Sequence, residues 1–211
     1  MTVTNDIFEA IVAGDQKATD QLVAQALEAG LSAETILGEG LVAGMAEVGK
    51  RFECGTYFVG DMMVSARAMK AGLARLRPFL ASEAVKPVGK VVIGTVQGDL
   101  HDIGKNLVAV MLEGAGFQVF DLGVDVRAEK FVAAAREKGA DLVALSALLT
   151  TTMTSMKGVV EALKKADLHP PVKVIVGGAA VTPEFAEKIG ADGFASDAAL
   201  AAARARELMG V

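Results

Sequence analysis

Lys90-Val91-Val92-Ile93-Gly94-Thr95-Val96-Gln97-Gly98-Asp99-Leu100-His101-Asp102-Ile103-Gly104-Lys105-Asn106-Leu107-Val108 decides how the second half of the chain folds. Its first part is a short run of β-branched and aliphatic residues, the pattern of a buried strand. From Lys105 the apolar residues fall at helical spacing. The segment Gly98–Gly104 between them is therefore a strand-to-helix loop, where open α/β sheets place their ligands. It carries one of the two histidines of the chain.

Downstream the same alternation continues. Strand-like runs occur at Gln118–Leu122, Leu142–Ser146, Val172–Val176 and, weakly, Gly193–Ala195. Helix-like runs occur at Lys105–Ala115, Ala128–Lys138, Met153–Ala166, Pro183–Ile189 and Ala198–Met209. Strands alternating with helices imply a parallel sheet covered on both faces. Right-handed crossovers then leave a doubly wound, Rossmann- or flavodoxin-like five-stranded sheet, with expected strand order 2-1-3-4-5.

Upstream every periodic stretch is helical. Ile7, Phe8, Ile11 and Val12 form one stripe; Leu22, Val23, Ala26 and Leu27 form the next. Gly30 suits a C-cap, and Ser32 with Thr35 opens a short third helix. Longer helices are expected from about Gly40 to Phe52 and from about Val59 to Leu76. The reading is an α/β protein: a four- to five-helix bundle over residues 1–85, then the doubly wound domain over residues 90–211. Leu80–Gly89, where Pro87 and Gly89 interrupt the helical pattern, is the expected linker.

Composition narrows the function. The chain has 211 residues, 52% hydrophobic and 22% charged, enough for a substantial core. A net charge of −5 argues against nucleic acid as the main partner. The single cysteine, Cys54, rules out an internal disulfide and suits a reducing compartment. The N-terminal residues carry no basic n-region followed by an apolar h-region, and no apolar run reaches the roughly 20 residues that span a bilayer. The expectation is a cytoplasmic protein without a membrane partner.

Three strand ends collect polar or small residues. The first carries Asp99, His101 and Asp102; the third runs Ser146-Ala147-Leu148-Leu149-Thr150-Thr151-Thr152; the fourth is Gly177-Gly178-Ala179-Ala180. In the expected order these strands are neighbours, so one ligand could touch all three loops. His101 could give a nitrogen to a metal while Asp99 accepts the other ring N–H, fixing the tautomer. Each residue taken singly has a plainer role. A loop histidine usually faces solvent, Asp99 could cap the next helix, Ser146 could satisfy a strand end, and Gly177-Gly178 could be turn geometry. Their order and spacing together favour a large cofactor with a slender tail.

Asp-x-His-x-x-Gly in this setting resembles the lower-ligand motif of the cobalamin-binding domains of methionine synthase and of the small corrinoid proteins of methyltransferase systems. Gly94–Val108 looks like the family's first strand, loop and helix. Ser146-x-Leu148 and Val176-Gly177-Gly178-Ala179 are similar to its second and third motifs, and Gly190-Ala191-Asp192-Gly193-Phe194 to its last-strand segment. Val48-Gly49-x-x-Phe52, Gly55-Thr56-Tyr57-Phe58 and Ser65–Lys70 resemble the family's helical cap. The resemblance covers roughly residues 5 to 209.

The resemblance implies cobalamin, alternating between methylcobalamin and a Co(I) corrinoid, with His101 as the cobalt ligand and Asp99 as its partner. It places the remaining cofactor contacts at Gly98, Asp102, Ile103, Gly104, Ser146, Leu148, Thr150, Thr152, Gly177, Gly178 and Phe194, with Phe58 and Met62 over the upper face. Thr152 stands where methionine synthase has the relay serine. No residue is expected to be catalytic on substrate. The implied function is a methyl carrier between a substrate-specific methyltransferase and a second, acceptor-directed methyltransferase using tetrahydrofolate, tetrahydromethanopterin or a thiol, with a reductive activation protein as a further partner. The competing reading is a cobalamin-dependent sensor or regulator. Such proteins add a DNA-binding region and usually cap the cofactor with Trp, which this chain lacks.

Overall fold

Side-chain caps and apolar spacing set the helices of the N-terminal half. The computed structural model describes residues 2–83 and 85–211, residue 81 by its backbone alone. The chain divides into two units, one running to Pro87 with Gly114–Gly116, the other comprising Val88–Glu113 and Phe117–Val211.

Among the described residues the first unit contains α1 (Val3–Val12), α2 (Gln16–Glu28), α3 (Ala33–Thr35), a π-helical segment (Ile36–Val42), α4 (Ala43–Glu53) and α5 (Val59–Ser82). The first three helices each start on a side-chain oxygen. Thr2 accepts from the Asn5 N–H, Asp15 from Ala18 and Ser32 from Thr35. These bonds satisfy N–H groups that the first turn leaves without a helical partner. The apolar stripes close on one another, so that Ile7, Ile11, Val23, Leu41 and Leu76 are fully buried.

Two helices differ from the sequence expectation. The stretch expected as a single helix from Gly40 is a π-helix over Ile36–Val42 before α4 begins. A Cβ on Gly40 would lie 2.8 Å from Ile7 Cγ2, and one on Gly44 would lie 2.7 Å from Ile11 Cβ. The bare backbone at these positions lets the helix lie directly against α1, which close packing otherwise forbids. The last helix continues through Pro78 to Ser82 instead of ending near Leu76. Pro78 lies on an exposed face, where water can satisfy the Ala74 carbonyl that proline leaves without a donor. The connection is therefore shorter than Leu80–Gly89; within it, Ala84 lies outside the described residues. Glu83 accepts from the Ala33 N–H through both carboxylate oxygens, at 3.2 and 3.0 Å, adding a cap to α3.

In the second unit the alternation is β1 (Lys90–Thr95), α6 (Ile103–Gly114), β2 (Gln118–Asp121), α7 (Ala128–Lys138), β3 (Leu142–Ser146), α8 (Thr150–Lys165), β4 (Lys173–Gly177), α9 (Pro183–Ile189), β5 (Gly193–Ala195) and α10 (Ala198–Met209). The sheet is parallel with order β2-β1-β3-β4-β5, a Rossmann-like α/β fold, as the sequence predicts. Val92, Val143, Leu145, Val174 and Val176 bury one face against Phe131, Val160 and Leu163 of the covering helices. Val91, Ile93, Leu142, Ala144 and Ile175, also buried, alternate to the other face.

Register brings the functional loops together. Thr95 pairs with Ser146, Ser146 with Gly177, and Gly177 with Ala195. The four strand ends thus form one row, and the loops that leave it start side by side at the carboxyl edge of the sheet.

Candidate functional site

The loop after β1 is held at nearly every step. Thr95, fully buried, donates its hydroxyl to the His101 carbonyl at 2.8 Å. The His101 N–H donates to Asp99 Oδ1 at 3.0 Å, and His101 Nδ1 lies 2.7 Å from the same oxygen. Asp99 Oδ2 accepts from the Leu148 N–H at 2.8 Å, the Leu149 N–H at 3.4 Å and the Thr152 hydroxyl at 2.6 Å. One buried carboxylate therefore ties the loop after β1 to the first turn of α8. That turn has no side-chain cap of its own, so Asp99 supplies the negative charge that a helix start favours.

Asp99 is 1% exposed. Burial alone would push its pKa up. The donors from Thr152, the His101 and Leu148 backbones and the imidazole outweigh it and hold the carboxyl far below the ordinary carboxylate range. An ionised Asp99 can only accept, so the Nδ1 proton of His101 points to it, which leaves Nε2 as the ring nitrogen not engaged by the carboxylate. The His101 side chain is 52% exposed. The geometry is a solvent-accessible imidazole with its tautomer fixed from below.

Exposed aliphatic side chains flank His101 in the chain and follow β3. Leu100 and Ile103 are 73% and 74% exposed, and Leu148 and Leu149 are exposed as well. Four exposed aliphatic side chains at one sheet edge form a surface suited to a large, mostly apolar ligand. Among the described residues no group of three or more His, Cys, Asp or Glu is placed to hold a metal ion. A metal bound through His101 would bring its remaining ligands with it.

Gly98 and Asp102 lie exposed in the His101 loop and Gly104 in the first turn of α6, with Asp102 accepting from Asn106 Nδ2 at 3.1 Å. Thr150 is exposed at the start of α8. Ser146 ends β3, and it is Thr152 whose hydroxyl enters the Asp99 network. Gly177 and Gly178 sit beside these loops with little spare room. A Cβ on Gly177 would meet the Ala195 carbonyl oxygen at 2.7 Å. One on Gly178, whose φ is +127°, would meet that of Ala147 at 1.9 Å. Close approach of neighbouring strand ends is enough to require glycine at both positions. Phe194 is half-buried and packs on the sheet core. In the helical unit Phe58 is 70% exposed, while Met62 is fully buried as a core side chain.

Sequence reading missed several residues of this network. Thr95 reads as an ordinary strand residue; Leu148 is expected as a cofactor contact, but its N–H bond to Asp99 and that of Leu149 run through backbone groups that side-chain identity does not signal. Lys105 is 2% exposed and pairs with Asp121 at the end of β2. Asp125 accepts from the Gly98 N–H at 2.7 Å; its only sequence signal is an acidic residue in a strand-to-helix loop.

Comparison with known proteins agrees with this geometry. A family model described as a B12 binding domain matches residues 89–204, and a second B12 binding domain model matches residues 3–77. A corrinoid protein of Desulfitobacterium hafniense strain Y51 is 42% identical over all of this chain and 99% of its own length. The dimethylamine corrinoid protein of Methanosarcina barkeri is 44% identical over 97% of this chain and 96% of its own. The crystal structure of the methanol:cobalamin methyltransferase complex from Methanosarcina barkeri contains a chain with a TM-score of 0.87 and 31% identity, covering 99% of this chain and 80% of that one. From its sequence motifs, its fold and these matches, the chain belongs to the B12-binding domain family, and its cofactor is cobalamin.

Proposed function

We propose that this chain is a methyl carrier that holds its corrinoid through His101. When bound, the corrinoid supplies a cobalt centre able to take up and give away a methyl group. The residues fit such a group. His101 offers one nitrogen of fixed tautomer, Asp99 holds the ring through Nδ1, and Leu100, Ile103, Leu148 and Leu149 give an apolar seat. The carrying observation is the buried Asp99 carboxylate, held by Thr152 and the Leu148 N–H while it orients a half-exposed imidazole.

In this reading residues 90–211 bind the cofactor and residues 1–85 are the cap unit, with Phe58 among its exposed side chains. Gly98, Asp102, Ile103, Gly104, Ser146, Thr150, Gly177, Gly178 and Phe194 complete the surround of the cofactor. In this reading these residues hold and orient the cofactor, and no residue is assigned acid or base chemistry on substrate. The methyl donor and acceptor are assigned to other proteins: a substrate-specific methyltransferase, an acceptor-directed one, and a reductive activator. Relatives named for dimethylamine and trimethylamine support a methylated amine as donor.

The test is reconstitution of wild type and His101→Ala with hydroxocobalamin. Wild type is expected to show protein-derived nitrogen coupling in the paramagnetic resonance of reduced cobalt, and the variant to lose it. An unchanged signal in the variant refutes the ligand assignment. Incubation with a methylamine-specific methyltransferase and its substrate then tests the carrier role. Failure to methylate with any amine or methanol system would favour a sensor.

A further inference from the structure

We propose that Asp125, in the loop after β2, is a positioning residue for His101. The proposal rests on the reading of His101 as the cobalt ligand. Asp125 Oδ1 accepts from the Gly98 N–H at 2.7 Å, and the Asp125 N–H donates to the Asp99 carbonyl at 3.0 Å. The two bonds straddle the Gly98–Asp99 peptide. The next residue continues the lacing: the Val126 N–H donates to the Thr95 carbonyl at 3.0 Å, and Val126 bridges Val96 in parallel.

Asp99 is thus fixed twice. Its carboxylate is held by Thr152 of α8 and by Leu148 in the loop before it, and its backbone by Asp125 in the loop after β2. Neither hold alone sets both the position and the rotation of the carboxylate that carries the imidazole. Asp125 adopts φ +53°, a left-handed conformation that costs energy for any residue with a Cβ and is tolerated best by Asn and Asp. Glycine would take this conformation freely. The strained residue is the one whose side chain reaches Gly98, so the strain accompanies a specific contact.

Three variants separate the clamp from the backbone conformation. Asp125→Asn keeps an oxygen acceptor and tolerates the left-handed conformation. Asp125→Gly keeps the conformation and loses the acceptor. Asp125→Ala loses both. In the cofactor-free full chain, hydrogen exchange is read at the His101 and Leu148 amides, which donate to Asp99 two bonds away from the substituted side chain. Glycine and alanine are expected to speed exchange at both amides about tenfold, and asparagine less than about twofold. In parallel, affinity for cobinamide, a corrinoid without its own base, is expected to fall about tenfold for glycine and alanine and to stay near wild type for asparagine. A glycine variant that matches wild type, or an asparagine variant that falls as far as alanine, overturns the proposal. The exchange measurement needs no corrinoid, so it judges the clamp separately from His101→Ala, which judges the ligand reading.

Discussion

The Thr152 hydroxyl reaches Asp99 Oδ2 at 2.6 Å across 53 residues of sequence. Both groups are buried, at 8% and 1% exposure. The bond is charge-assisted, and that class is shorter and stronger than neutral pairs. Thr152→Val keeps the shape and removes the donor, leaving a buried carboxylate oxygen short of a partner. It is expected to cost about 2–3 kcal/mol in urea unfolding. Thr152→Ser keeps the hydroxyl and loses one methyl, at about 1 kcal/mol or less. Equal losses for the two variants would show that the hydroxyl contributes nothing.

Asp99 makes stability depend on pH in a definite direction. Its native pKa lies below the unfolded value, so its contribution is present above the unfolded pKa of about 3.9 and is lost as pH falls through the native value. Asp99→Asn is therefore expected to be less stable than wild type at pH 7, by about 2–4 kcal/mol. The gap should begin to narrow below about pH 5 and be smaller at pH 3. Denaturant midpoints at the two pH values check this; a gap of constant size would mean that folding leaves the pKa of Asp99 unshifted.

The fold was largely legible because its signals are local. The strand runs of Val91–Val96 and Leu142–Ser146, and the helix at Ala128–Lys138, follow from apolar spacing alone, and a parallel sheet with short loops leaves few orders to choose from. Two local signals misled. The helix expected to end near Leu76 runs on through Pro78 to Ser82, because the proline's exposed position removes most of its penalty. Gly40 reads as the start of an ordinary helix, while close contact of Gly40 with Ile7 and of Gly44 with Ile11 shapes that region. In the site, His101 and Asp99 stand two residues apart and announce each other. Asp125 and the Leu148 N–H reach the loop from beyond other strands, and Thr95 reaches it through a bond to the His101 backbone; no spacing rule in one sequence encodes such contacts.

The glycine pair at the end of β4 has a steric basis that substitution can measure. An added Cβ at residue 178 would sit 1.9 Å from the Ala147 carbonyl oxygen, and the backbone there is at φ +127°. Backbone must shift on both counts. Gly178→Ala is expected to lower stability by about 3 kcal/mol or more. The Gly177→Ala contact of 2.7 Å with the Ala195 oxygen falls on the short edge strand β5, which can yield, so its cost should be smaller, about 1–2 kcal/mol. Thermal unfolding of the cofactor-free chain ranks the two; the reverse order would contradict the steric account.

Lys105 and Asp121 form an ion pair whose halves are not equivalent. Lys105 is 2% exposed, while the Asp121 side chain is 40% exposed. Removing the lysine leaves a carboxylate that water can reach, and methionine fills the space of the alkyl chain. Lys105→Met is therefore expected to change stability by about 1 kcal/mol or less. Removing the carboxylate leaves a buried ammonium with the Asn106 side-chain oxygen, 2.6 Å away, as its remaining partner in this network. Asp121→Ala is expected to cost about 3 kcal/mol or more at pH 7, because an uncompensated buried charge is far costlier than an absent pair. Urea unfolding of both variants measures the asymmetry. Since α6 starts next to the His101 loop, the costlier variant should also weaken corrinoid binding, while Lys105→Met should leave it within about threefold, under about 0.7 kcal/mol. If Lys105→Met proved the more damaging of the two, the lysine would have a role at the loop that its pairing with Asp121 does not explain.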